Sequence, residues 1–152
     1  MTYFVTGATG FIGRYLVQSL LQRGKGTIYV LVRPKSVGKL DELREFWGKE
    51  SVKRVVPIKG DLGSPKLGVS PADVRKLKGK VKHFFHLGAV YDIEASAETM
   101  KKANIVGTQG ALDLAAAVNA GCFHLVSSIA AAGLYRGTFT EDMFEEAEEL
   151  EH

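Results

Sequence analysis

The sequence predicts a doubly wound α/β fold, in which helices cover both faces of a mostly parallel sheet of about five strands. The length of 152 residues suits one domain. Short apolar runs alternate with amphipathic stretches, and parallel strands joined by right-handed crossovers account for that alternation. The segment TGATGFIG, residues 6–13, lies where the first apolar run meets the first amphipathic stretch.

Five runs rich in β-branched or aromatic residues are predicted strands. They are residues 2–6, 27–33, 52–59, 81–86 and 122–127. Cys122 is the only cysteine, which excludes an internal disulfide, and we expect it to open a buried strand as a small residue.

Helices are predicted between these strands. They are residues 11–23, 36–47, a short stretch near 71–78 and a long region at 94–120. The first helix is expected to end at Gly24. One stripe along it is expected to form its apolar face, and consists of Ile12, Tyr15, Leu16, Ser19 and Leu20.

The glycines of TGATGFIG predict a loop that holds the pyrophosphate of a dinucleotide. Gly7 permits the tight turn, Gly10 lets the backbone approach the phosphates, and Gly13 lets the helix pack closely on the strand. The helix N-terminus attracts anions, so Thr9, Phe11 and Ile12 join the predicted contacts. A glycine-rich turn without a ligand is the alternative, and the strand-to-helix context disfavours it.

The spacing TGxxGxxG resembles that of the extended short-chain dehydrogenase/reductases, and the resemblance runs along the whole chain. It implies a Rossmann-type fold. Asp61 and Leu62 resemble the family's adenine-contacting pair. The segment HLGA resembles its HLAA segment beside the nicotinamide ribose, which makes Leu87, Gly88 and Ala89 candidate contacts, with Gly88 in place of an alanine.

The same resemblance implies roles for two later residues. Asn104 corresponds to the family's helix asparagine, which stabilises the active-site end of the neighbouring strand. Ser128, in the pair Ser127-Ser128, corresponds to the catalytic serine that orients a carbonyl.

The catalytic Tyr and Lys of the family, four residues apart, have no counterpart in this sequence. Tyr91 is followed at that distance by Ala95, and Tyr135 by Phe139. Family members are longer and carry a second, substrate-binding part. We therefore expect the chain to be a cofactor-binding part, truncated after about five strands and inactive by itself.

The end of the second predicted strand favours NADP(H) over NAD(H). An NAD site places an acid there for the ribose 2′-hydroxyl, whereas an NADP site offers a cation to the 2′-phosphate. Arg33 occupies this position, Lys35 lies close by, and the first following acid is Asp41. A solvated strand-end arginine is the alternative.

The segments LVRP, HFFHLGAVYD, VSSIAAAG and EDMFEEAEEL resemble most closely the fatty acyl-CoA reductases and the thioester-reductase domains of carboxylic acid reductases. This resemblance implies a small-molecule substrate, an acyl-CoA or an aldehyde, that is reduced with NADPH. Two alternatives stay open at this point. One is a sugar-nucleotide epimerase or dehydratase of the same extended family, and the other is a non-catalytic nucleotide-binding module.

Residues 1–139 are the predicted NADP-binding domain and residues 140–152 an acidic tail. Residues 1–140 carry twenty basic against ten acidic residues, a charge of +10, although the whole chain carries only +3. The terminal Leu150-Glu151-His152 matches the start of a cloning scar before a histidine tag, and native sequence is the alternative.

Other partners and sites are not expected. The lysines are scattered and not interleaved with aromatic residues, which disfavours nucleic-acid binding. No run is long enough to span a membrane and no signal peptide is recognised, so we expect a cytoplasmic protein, and oligomerisation stays open. His83, His86 and His124 occur singly without an acidic partner, so we expect core histidines and no metal site.

Overall fold

A computed structural model describes residues 1–90 and 96–143 and contains one five-stranded sheet. The strands run in the spatial order β3-β2-β1-β4-β5, and every neighbouring pair is parallel. The predicted Rossmann-type fold class is thereby confirmed. The strands are β1 (Tyr3–Thr6), β2 (Ile28–Val32), β3 (Val55–Lys59), β4 (His83–His86) and β5 (Cys122–Leu125).

Helices cover both faces of the sheet. Successive side chains of a strand point to opposite faces, so Val5 clusters with Val17 and Leu40 on one face while Phe4 clusters with Leu77 and Leu114 on the other. None of the helices in the described ranges is both long and apolar enough to cross a membrane. They are α1 (Phe11–Arg23), α2 (Gly38–Trp47), α3 (Glu50–Arg54), α4 (Pro71–Leu77), α5 (Ala97–Lys101) and α6 (Gly107–Ala117).

The buried face of α1 differs from the predicted stripe. Ile12 and Tyr15 are exposed, whereas Gly13, Val17 and Leu20 are buried. Gly13 sets this face, because it lies against the carbonyl of Gly7 and the residues one and two turns later share its orientation. The predicted end of the helix is correct, since Gly24 is the residue that follows Arg23.

The third strand begins later than predicted. Residues 52–54, expected to be strand, belong to α3. The guanidinium of Arg54 donates to the carbonyl oxygens of Leu21, in the last turn of α1, at 2.7 Å and of Gly26, just beyond it, at 3.0 Å. These carbonyls lack helical partners, so Arg54 satisfies them and holds α3 against α1.

The long helix predicted at 94–120 consists of three segments. Residues 91–95 and 144–152 lie outside the described part of the chain. After α5, residues 102–106 form a π-helical turn, in which the N–H of Gly107 bonds to the carbonyl of Lys102, and α6 follows and ends at Ala117. The π turn inserts an extra residue into the helix, which apolar periodicity does not reveal.

The expectation that Cys122 opens a buried strand is wrong. Cys122 and Leu125 are exposed and Phe123 is half-buried, because β5 is an edge strand of the described sheet.

We expect Gly13→Ala to destabilise the chain by about 1–3 kcal/mol, the usual range for overpacking. A Cβ at Gly13 would overlap the carbonyl oxygen of Gly7 and lie 2.8 Å from the Cα of Ala8. Gly38→Ala is the matched control, because a Cβ at Gly38 meets no atom within 4 Å. Urea unfolding measures both, and equal stabilities of the two variants would contradict the close packing of α1 on the loop.

Candidate functional site

A cleft of about 460 Å³ opens at the carboxyl ends of β1, β2, β3 and β4. The chain runs outward from β1 to β2 and β3, and then crosses back to the other side of β1 to form β4 and β5. Parallel α/β sheets bind ligands at such switch points, where the loops diverge.

The glycine loop between β1 and α1 forms one wall of the cleft. Gly7 has a φ of +70°, and a Cβ there would lie 2.8 Å from the backbone nitrogen of Gly88. The N–H of Gly10 donates to the carbonyl of Gly7 at 3.0 Å and closes the turn. No described side chain caps α1 at Gly10, so its first N–H groups are available to an anion.

Most of the predicted cofactor-binding residues line this cleft. They are Gly7, Thr9, Gly10, Arg33, Asp61, Leu62, Leu87, Gly88 and Ala89. Three others are not wall residues: Phe11 and Ile12 expose their side chains, and Gly13 is buried beneath the loop. Any contact that these three make with a phosphate would therefore come from their backbone N–H groups.

The wall beyond β2 carries a cation. Arg33 precedes a short 3₁₀ turn, Pro34–Ser36, and lines the cleft together with Ser36. Lys35 is not a wall residue, and Asp41 pairs with Arg44 at 2.9 Å on α2. The described residues that follow β2 therefore offer the cleft positive charge and no carboxylate.

The wall beyond β3 is built by Asp61 and Leu62. The carboxylate of Asp61 accepts the N–H of Gly63 at 2.8 Å, which fixes the loop. A Cβ at Gly88 would lie 3.0 Å from the Leu62 side chain and 3.1 Å from the hydroxyl of Thr6. The glycine in place of the family's alanine thus matches a close contact between two walls.

The sequence did not reveal Lys102 and Thr99 as wall residues. Lys102 begins the π turn, and its side chain lies against Gly63, where an added Cβ would come within 3.0 Å of the lysine Cε. The only sequence signal is a lysine on a helix that follows β4, and it does not specify which way that lysine faces.

The hydroxyl of Thr6 connects the ends of β1 and β4. It accepts the N–H groups of Leu87 at 3.2 Å and Gly88 at 3.0 Å, and lies 2.8 Å from Nδ1 of His86. Because both lone pairs of the hydroxyl are used, its proton must be donated to Nδ1. His86 is therefore the neutral tautomer that carries its proton on Nε2.

In this tautomer the Nε2–H group of His86 points toward Thr108, which in turn contacts Asn104. Nε2 of His86 lies 3.4 Å from the hydroxyl of Thr108, which donates to the carbonyl of Asn104 at 2.6 Å. The Asn104 amide in turn binds both the N–H and the carbonyl of Val90, at 2.8 and 2.9 Å. Asn104 thus holds the segment that follows β4, four residues beyond its last residue, and its implied role at the active-site end of the strand stays a prediction.

Burial lowers the pKa of His86, because the charged imidazolium loses its hydration in the core. Protonation at Nδ1 would also direct a second donor at a Thr6 hydroxyl whose lone pairs are occupied. The neutral form is therefore favoured by both the surroundings and the hydrogen bonds.

Ser128 lies outside the cleft wall and lines a second cavity of about 990 Å³. Its hydroxyl accepts the N–H of Ala130 at 3.2 Å and begins the 3₁₀ turn Ile129–Ala132. Tyr135 lines the same cavity. Ser128 is exposed, which leaves its hydroxyl accessible to a ligand.

Comparison with known proteins identifies the family. The sequence profile of the nicotinamide-dinucleotide-binding family described as "Male sterility protein" matches residues 5–152. The chain belongs to this family. The resemblance to extended short-chain dehydrogenase/reductases, and among them to the acyl thioester reductases, is thereby confirmed.

Two curated relatives and one solved structure illustrate what the chain is similar to. A putative fatty acyl-CoA reductase of Drosophila melanogaster is 35% identical over 73% of the chain and 24% of its own length. The L-2-aminoadipate reductase large subunit of Penicillium chrysogenum is 34% identical over 86% of the chain and 10% of its own length. The terminal R domain of the myxalamid PKS-NRPS pathway superposes with a TM-score of 0.79 at 32% identity.

The match to the myxalamid domain covers 90% of this chain but only 37% of that domain. The chain therefore spans a minor part of each of these three proteins. The family and the glycine loop together fit a nicotinamide cofactor, because the loop lines the cleft and leaves the first N–H groups of α1 without a side-chain cap.

We expect the free energy of unfolding of the chain to fall as the pH drops from about 7.5 to 5. The pKa of His86 is lowered in the folded chain, so the unfolded chain binds more protons near its ordinary value of about 6.5, and the stabilisation present above that value is lost below it. One proton corresponds to a slope of at most about 1.4 kcal/mol per pH unit.

His86→Gln removes the titration and keeps an amide donor and acceptor. Urea unfolding at several pH values should give the variant a shallower slope than the wild type. Because His83 and His124 remain in both proteins, their contributions cancel in the comparison. Identical slopes would contradict the assigned neutral state of His86.

Proposed function

We propose that the chain binds NADP(H) and serves as the cofactor part of a reductase that acts on acyl thioesters or aldehydes. The cleft wall after β2 carries this proposal, because it presents Arg33 and Ser36 with no described carboxylate beside them. The guanidinium matches the geometry of a phosphate, whereas a ribose 2′-hydroxyl favours an acid. The names of the fatty acyl-CoA and L-2-aminoadipate reductases support the substrate class.

Each wall would then hold one part of the cofactor. The backbone at Gly7 and Gly10 would bind the pyrophosphate, and Arg33 the 2′-phosphate. The remaining contacts would be those of Asp61 and Leu62 with the adenine and of Leu87, Gly88 and Ala89 with the nicotinamide ribose. The bound cofactor supplies a hydride to a carbonyl carbon.

Ser128 would orient the substrate carbonyl through its hydroxyl. Carbonyl reduction also needs a proton donor, and no tyrosine in the sequence precedes a lysine by four residues. We therefore propose that residues 1–152 bind the cofactor without turning over substrate.

The domain limits, residues 1–139 and the acidic tail 140–152, remain predictions, and most of the tail lies outside the described residues. The cytoplasmic location also remains a prediction. Against the epimerase or dehydratase alternative stand Arg33 and the reductase names of the relatives. A non-catalytic module would bind the cofactor equally well, so catalysis needs its own test.

We expect the chain to bind NADPH more tightly than NADH, and Arg33→Ala to reduce that preference by about 10- to 100-fold. This range follows from about 1.5–3 kcal/mol for a hydrogen bond to a charged group, at about 1.4 kcal/mol for each tenfold. Calorimetric titration with both cofactors measures the preference.

Lys35→Ala is the matched control, because Lys35 is an exposed cation two residues away that does not line the cleft. It should leave the preference within about twofold of the wild type. If the Arg33 and Lys35 variants lose equal preference, nonspecific charge explains the binding. If neither variant loses any, the assignment of Arg33 is wrong.

Catalysis is tested by a chimera in which residues 1–143 replace the matching segment of the Drosophila reductase. We expect the chimera to oxidise NADPH in the presence of a fatty acyl-CoA. Ser128→Ala in the chimera should reduce turnover by about 10²-fold or more, because the carbonyl loses an orienting group. The unmodified Drosophila protein is the positive control.

NADPH binding by the chimera shows that the grafted segment is folded. A chimera that binds NADPH but reduces neither the acyl-CoA nor the corresponding aldehyde would contradict the reductase proposal. Full activity of the Ser128→Ala chimera would instead exclude Ser128 from the mechanism. Turnover by the 152-residue chain alone would show that it contains its own proton donor.

A further inference from the structure

Three side chains that can bind metal ions meet at the edge of the sheet. They are His83 on β4 and Cys122 and His124 on β5. Their ligand atoms all lie within 4.8 Å of one another, and Nδ1 of His83 is 3.0 Å from Nε2 of His124. His83 and His124, which were expected to occur singly, therefore lie side by side, whereas His86 is buried in the core as expected.

The register of the parallel strands brings them together. His83 pairs with Cys122, and Phe85 pairs with His124. Residues two apart on a strand share a face, so the three side chains project from the same face of the sheet. The ring of Tyr3 stacks on His83 with centroids 5.9 Å apart. Tyr3 also packs with α1, so the three side chains project from the face of the sheet on which α1 lies.

We propose that His83, Cys122 and His124 form a binding site for a divalent transition metal ion such as Zn²⁺. Two imidazole nitrogens and one thiolate are ligands that Zn²⁺ prefers, and an exposed site leaves a fourth position to water. Two nitrogens at about 2.0–2.1 Å from a tetrahedral zinc lie about 3.3–3.4 Å apart, close to the 3.0 Å between the two rings.

The imidazole rings are already held close to this arrangement. The ring of Phe85 stacks on His124 with centroids 4.4 Å apart, and Tyr3 supports His83 from the other side. In the metal-free chain one ring donates a hydrogen bond to the other, and a metal ion takes the place of that proton. Binding therefore releases protons, including that of the thiol, and is expected to strengthen as the pH rises.

This site lies at the opposite end of the strands from the nucleotide cleft, about 10 Å along β4. His83 and Cys122 begin β4 and β5, whereas the cleft lies where β1 and β4 end, near Thr6 and His86. A metal ion there would connect the edge strand β5 to β4 and stabilise the sheet. The metal ion would take no part in hydride transfer, so the proposed metal site does not depend on the proposed function.

Cobalt titration of the reduced, chelator-treated chain tests the site. We expect one Co²⁺ per chain with a near-ultraviolet thiolate-to-cobalt charge-transfer band, which Zn²⁺ displaces. Cys122→Ser should abolish this band, and His124→Gln should weaken Co²⁺ binding by at least tenfold. Glu42→Gln, which removes an exposed potential ligand on α2 outside the cluster, should bind as the wild type does.

Thermal unfolding provides the second measurement. Excess Zn²⁺ should raise the unfolding temperature of the wild type and of Glu42→Gln, but not that of Cys122→Ser, because only an intact folded site gains from binding. Cys122 is exposed, so its substitution by serine leaves the core intact. The proposal is overturned if Co²⁺ does not bind, if it binds without the charge-transfer band, or if Cys122→Ser retains the band.

Discussion

The nucleotide cleft depends on the close contact between Gly13 of α1 and the carbonyl of Gly7 at the end of β1. The absence of a Cβ at Gly13 allows the helix to begin directly above the strand, so that its N-terminus and Gly10 face the cleft. The same contact fixes the rotation of α1 and turns Val17 toward the sheet. One packing constraint thus determines both the core contact of the helix and the direction of its positive dipole end.

A second constraint is the hydroxyl of Thr6, the residue before Gly7. Because it accepts two N–H groups from the segment after β4 and donates to His86, it ties the two wall segments at Gly7 and Gly88 together. The bonds are directional and buried, and loss of any member would leave another without a partner. His86 therefore lies between the end of β1 and Thr108 of α6, with a polar contact to each.

The sequence predicted a feature correctly where the interaction that determines it is local. Gly24 ends α1, and Arg33 follows β2, because chain direction and spacing fix such positions. It was insufficient where the determining partner is distant. Residues 52–54 are helical, and Arg54 there donates hydrogen bonds to carbonyls 28 and 33 residues away. His83 contacts His124, 41 residues away, because the register of the strands places them side by side. The exposure of Cys122 likewise follows from its place in the sheet order, which local composition does not encode.

The π turn explains how one short segment serves both the scaffold and the cleft. By bonding the N–H of Gly107 five residues back, it shifts the later helix relative to α5. Asn104 can then hold Val90 with its amide while its carbonyl accepts the hydroxyl of Thr108, and Lys102 lines the cleft. Since Arg33 follows β2 and Lys102 follows α5, cations from two separate elements flank the cleft. An anionic ligand would be attracted from both sides, and the excess of basic residues in the first 140 positions would extend that attraction into solution.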